Sequence, residues 1–70
     1  MNKIDPTPDL PQETPLHLIR LPTRIRNVFK AAGIFTVGEA RETSDAAFLS
    51  FVNFGPGSLF YIRKALGPAR

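Results

Sequence analysis

The stretch Asn53–Gly67, NFGPGSLFYIRKALG, places an asparagine and two glycines around a proline immediately ahead of a run whose apolar residues fall three and four apart. Leu59, Ile62 and Leu66 stand at i, i+3 and i+7, one stripe of a 3.6-residue period. Gly67 and Pro68 supply a C′ glycine and a block beyond it. This is the clearest helix in the sequence. Its approach has two readings, a plain turn with a cap or a backbone cradle for an anion. Glycines can take positive φ and let another surface come close, and Ser58 stands where the helix is expected to begin. The first amides of a helix lack partners and carry the positive end of its dipole, which suits one phosphate. Gly and Ser before a helix more often mean a turn, so the cradle needs support from elsewhere in the sequence.

Working outward, three more helices come into view. LPTRIRNVFKAAG sets Ile25, Val28, Phe29 and Ala32 at helical spacing, with Pro22 in the first turn and Gly33 at C′. If that stripe faces inward, Arg24, Asn27 and Ala31 form one outer strip and Arg26 with Lys30 another. In IFTVGEARET, Thr36 and Glu39 have capping-box spacing. In TSDAAFLSFV, Ser44 reads as an N-cap with Asp45 at the positive helix end, and Phe48, Leu49 and Val52 as the buried side. No stretch shows sustained two-residue alternation. The predicted fold is all-α, a compact bundle of four to five short helices over 16–70, preceded by an extended, flexible Pro-rich tail over 1–15. Pro6, Pro8, Pro11 and Pro15 hold that tail away from regular hydrogen bonding. Its Pro8-Asp-Leu-Pro11 fits a PxxP ligand, a match that proline-rich linkers produce easily.

The composition excludes several classes of function. Seventy residues without cysteine rule out a disulfide frame, and His17 as the sole histidine leaves no soft ligand set for zinc. There is no apolar run of signal-peptide or membrane-spanning length, so a soluble cytoplasmic protein is expected, with no membrane, metal or cofactor. No serine sits in a nucleophile-elbow context and the acids are scattered, which argues against an enzyme. The net charge of +3 is uneven, because residues 1–18 carry Lys3 against Asp5, Asp9 and Glu13 and the remainder holds +5. A small basic domain attracts phosphates.

LPTRIRNVFKAAGIFTVGEA and NFGPGSLFYIRKALG together resemble the C-terminal domain of the bacterial RNA polymerase alpha subunit. That family pairs L-S/T-x-R-x-x-N-x-L-x-x-x-x-I-x-T-I/V-G-D/E-L with a later N-x-G-x-x-S-L-x-x-I-x-x-x-L, and the match runs roughly from Leu16 to Gly67. The resemblance implies a helix-hairpin-helix-like fold that binds the minor groove of A·T-rich DNA with low specificity and contacts transcription activators. It places the family's DNA-contacting arginine and asparagine on Arg24 and Asn27. The glycine that brings backbone to phosphate falls on Gly55, the phosphate-binding serine on Ser58, and an asparagine of the same loop on Asn53. Two lysines common in that loop are replaced by Pro56 and Gly57, and an acidic residue of the last helix by Tyr61. Because only a tail precedes the matching region, a fragment or a free-standing relative is expected rather than a whole alpha subunit.

The DNA-binding set is therefore Arg24, Asn27, Asn53, Gly55, Gly57 and Ser58, with Arg26, Lys30, Arg63 and Lys64 as secondary phosphate contacts. An arginine can reach into a narrow minor groove, and an asparagine can pair with its acceptors. Each could equally be a solvated surface residue. Phe51, Phe54, Phe60 and Tyr61 exceed what four short helices need for a seam, so some are expected on a protein contact surface, with Phe54 read as core. The alternative function is a protein interaction adaptor of the same fold, binding a transcription factor or RNA polymerase, in which DNA affinity is lost with the loop lysines.

Overall fold

Each predicted helix forms, and local chemistry accounts for most of the boundaries. The structure, a computed structural model, describes residues 3–67. Pro68, expected to block the last helix, and the cation Arg70 lie outside the described residues. A 3₁₀ turn, Leu16–Leu18, is followed by α1, Thr23–Ala32, and α2, Val37–Glu42. Then come α3, Asp45–Leu49, and α4, Pro56–Leu66. Gly33 ends α1 in the left-handed conformation at φ 78°, where any Cβ would be strained. Thr36 and Glu39 make the reciprocal capping box of α2, and the Ser44 hydroxyl accepts from Ala47 N to start α3.

α4 packs on α2 and α3, and the core closes between them and α1. Ile25, Val28 and Phe29 of α1 meet Val37, Ala40, Phe48, Ile62 and Leu66 there, all buried. Phenylalanine rings fill the centre. Phe48 stacks on Phe54 with centroids 4.9 Å apart, and Phe29 lies 5.8 Å from Phe48. Ring pairs at such separations add to the burial of their area. Phe54 is core, as expected.

Three expectations are corrected by the packing. Leu49 is exposed, and Val52, at 81% exposure, stands in solvent, because α3 ends at Leu49 and the backbone turns before the periodicity reaches Val52. Ala32 at the end of α1 is also exposed. The third concerns residues 1–15, expected as a free tail. Gly38 N donates to Gln12 O at 2.8 Å and Val37 N to Thr14 O at 3.0 Å, which bind this segment to the start of α2, and just past the segment Leu16 N donates to Phe35 O at 2.8 Å. Ile4 and Ile19 form an isolated parallel bridge, and Leu10 packs against the core. The described part of the segment is a strap across the bundle. Prolines deny backbone donors, but their carbonyls still accept.

A buried cation fastens the strap. Arg41 on α2 donates from Nε to Leu66 O at 2.6 Å, from Nη1 to Leu10 O at 2.8 Å and to Gln12 Oε1, and from Nη2 to Pro8 O at 2.8 Å. A single guanidinium thus ties the strap to the C-terminal end of α4. Among the described residues no buried side-chain polar atom lacks a partner.

Candidate nucleic-acid interface

α1 and the loop ahead of α4 meet at a shallow hollow of about 250 Å3 lined by Arg24, Asn27, Val28, Ala31, Val52 and Asn53. Three of the predicted contacts, Arg24, Asn27 and Asn53, therefore share one depression although Asn27 and Asn53 are far apart in sequence. Arg24 and Asn27 are exposed one turn apart on α1, and the core-facing stripe beneath them holds their backbone rigid. Asn53 takes φ 66°, the left-handed region that asparagine tolerates better than most side chains.

That angle corrects the reading of the loop. Positive φ belongs to Asn53, whereas Gly55 has φ −108° and ψ −173°, extended backbone open to any residue. Gly55 is the N-cap of α4, Pro56 its first residue, and Ser58 lies within the first turn rather than at its start. Pro56 has no N–H to leave unpaired, and the first helical bond is from Leu59 N to Gly55 O at 3.0 Å. The N–H groups of Gly57 and Ser58 lie ahead of that bond, at the positive end of an eleven-residue helix. A Cβ built on Gly55 or Gly57 would meet nothing within 4 Å, so there is open space beside the backbone at both glycines.

The secondary cations divide. Arg26 and Lys30 lie on another flank of α1 and line a separate hollow. Lys64 leans over the Phe60 ring, 5.8 Å from its centroid. Arg63 is drawn into the body, with its side chain 15% exposed. Its guanidinium pairs with Asp45 at 2.8 Å, donates to Ala40 O and Thr43 O, and lies 4.9 Å above the Phe48 ring. With these partners it braces α4 on α3, which leaves little of its guanidinium open to the phosphate expected of it. Sequence reasoning missed Arg41 and Val52, the first because a lone arginine on a short helix carries no signal, the second because periodicity placed it inside.

The described residues hold no cluster of three or more His, Cys, Asp or Glu suited to a metal, and no helix long and apolar enough to cross a membrane. The family of C-terminal domains of the bacterial RNA polymerase alpha subunit matches residues 7–68. The protein belongs to that family. The match begins within the strap, nine residues ahead of the 3₁₀ turn at Leu16, in keeping with its hydrogen bonds to α2. Neither the curated proteins nor the solved structures give a match. The alpha C-terminal domain family is non-catalytic and binds DNA and transcription factors.

Proposed function

We propose that this alpha C-terminal domain relative is a non-catalytic DNA-binding module of cytoplasmic transcription, which docks α1 and the start of α4 on the minor groove of A·T-rich DNA. The observation that carries the reading is the shared hollow of Arg24, Asn27 and Asn53 beside the open first turn of α4. Arg24 supplies a cation for the negative potential of a narrow groove, which A-tracts deepen. Asn27 and Asn53 supply donors for the groove's acceptors, which distinguish A·T from G·C and little more. The amides of Gly57 and Ser58 receive an adjacent phosphate, and the Ser58 hydroxyl adds a donor.

Titration of isotope-labelled protein with an A·T-rich duplex tests this. Amide shifts centred on Arg24, Asn27, Asn53 and Ser58 are expected, with a G·C-rich duplex of equal length binding more weakly. Absence of shifts at about millimolar duplex would remove the reading, since even non-specific DNA binding is usually far tighter.

A second reading rests on its own observation. Pro56 and Gly57 stand where the family's loop carries lysines, and Phe60 is 69% exposed beside exposed Tyr61 and Lys64. Exposed aromatics next to a cation favour contact with protein. If duplex leaves Arg24 and Ser58 unmoved, this face of α4 becomes the primary one, and the domain acts as an adaptor for a transcription factor or RNA polymerase.

A further inference from the structure

α1 has a second flank of different chemistry. On it lies a hollow of about 300 Å3, distinct in character from the one at Arg24. Phe29 and Ile34 of the core give it an apolar floor, and Phe35, 58% exposed, contributes to its wall. Arg26, Lys30 and His17 line it as well. No acidic side chain lines the hollow, and neither Arg26 nor Lys30 forms an ion pair among the described residues. The acid tied to Phe35 is Glu39, and its Oε1 already accepts from Phe35 N at 2.7 Å and Thr36 N at 3.2 Å. The floor is fixed by the core, because Ile34 N donates to Phe29 O across the turn that ends α1.

We propose that this cleft docks an acidic segment of a partner protein, seating one large apolar side chain on the Phe29–Ile34 floor and setting carboxylates against Arg26 and Lys30. Its volume lies at the small end of ligand pockets, about 300–1,000 Å3, which suits one anchoring side chain better than an extended ligand. Anchors of this kind, buried in a pocket and ringed by polar contacts, carry most of the energy of small interfaces. A phosphate backbone has nothing to place on an apolar floor. The unpaired cations select an acidic partner over a merely greasy one, since a wrong charge beside them is repelled. The Arg24 hollow and this cleft share only Asn27, so the inference stands apart from the DNA reading.

The probe is a synthetic twelve-residue peptide with a central phenylalanine flanked on both sides by glutamates. One control carries alanine for the phenylalanine, and a second carries lysines for the glutamates. Titrated into the labelled 70-residue protein, the probe should move the amides of Lys30, Ile34 and Phe35 and saturate, while both controls bind at least about fivefold more weakly. Lys30→Glu and Phe35→Ala should each weaken the probe about fivefold or more. Both positions are exposed, and thermal unfolding checks that both variants fold; Lys30→Gln serves if charge reversal disturbs α1. Arg20→Glu, an equal charge change at an exposed arginine that lines neither hollow, should leave probe binding within about twofold. Equal binding of the alanine control, equal sensitivity to Arg20→Glu, or no shift at about millimolar peptide would each overturn the proposal.

Discussion

Four arginines show how the same side chain is put to opposite uses in two regions of this domain. Arg24 and Arg26 project from α1 and make no ion pair among the described residues. Arg41 and Arg63 turn inward from α2 and α4, and their guanidiniums are filled by backbone carbonyls, Gln12 and Asp45. The inner pair closes the fold, and the outer pair is left without an acidic partner. Arginine suits both duties because its planar fork holds several acceptors at fixed angles, yet it stays charged where nothing neutralises it. A single buried cation bonded to carbonyls is costly to leave half satisfied, so the inner region should respond to mutation through stability and the outer one through affinity.

The largest effect is expected where the inner region is cut. Arg41→Ala removes every bond from the guanidinium to Pro8 O, Leu10 O, Gln12 and Leu66 O, and should cost about 3 kcal/mol or more in denaturant unfolding. A variant starting at Thr14 loses three of those acceptors and the Ile4–Ile19 bridge, and should itself be less stable by about 2 kcal/mol. Because both changes break one arrangement, their sum should exceed the loss in the combined variant. Full additivity would show that the strap and Arg41 act separately.

Next in size is Gly38→Ala. A Cβ at Gly38 would lie 3.1 Å from both the Cβ and the carbonyl oxygen of Gln12, and the second of these is backbone. The strap must shift to admit it, at a cost of about 1–3 kcal/mol, despite alanine's better helix propensity. An unfolding midpoint equal to or above that of the parent would mean that the strap lies loosely on α2.

In the outer region, Arg24→Ala should lower affinity for an A·T-rich duplex about tenfold and change stability by less than about 0.5 kcal/mol. The reverse pattern, a large stability loss with unchanged affinity, would place Arg24 with Arg41 and erase the contrast between the two regions.

The smallest expected effect is a gain. Gly57→Lys has open space for its Cβ and lies in the first turn of α4, so the variant should fold with an equal or higher midpoint. Its ammonium would add one phosphate contact beside amides that already favour an anion, steepening log affinity against log salt by about 0.9. Affinity for one duplex at several salt concentrations reads this out. An unchanged slope in a folded variant would assign the α4 turn to neither region's partner surface.

Which of these features the sequence revealed follows from how local their causes are. Thr36 with Glu39, Ser44, and Gly33 each fix a helix boundary through bonds made within a few residues, and each acts in the structure as its spacing predicted. The outer strips of α1 were legible for the same reason, since a 3.6-residue period places Arg24 with Asn27 and Arg26 with Lys30 once the buried stripe is known. The order of Asn53, Gly55 and Ser58 was legible too. Their conformations were not, because which residue takes positive φ depends on how the loop must bend to return α4 onto α2 and α3, and Asn53 rather than a glycine met that demand.

Sequence by itself determined the four helices, the caps at Gly33, Thr36 and Ser44, the basic strips of α1 and the family pattern, all of which depend on residue type and near spacing. Tertiary structure alone decided that the Pro-rich segment is a strap, that Val52 is exposed, and that Arg63 serves Asp45 and Phe48 rather than solvent. The strap and the inward turn of Arg63 rest on bonds between residues far apart in sequence, such as Arg63 to Asp45, 18 positions apart, and Arg41 to Pro8, 33 apart. A carbonyl acceptor exists at every residue, so no residue type or spacing marks the ones a distant guanidinium will find.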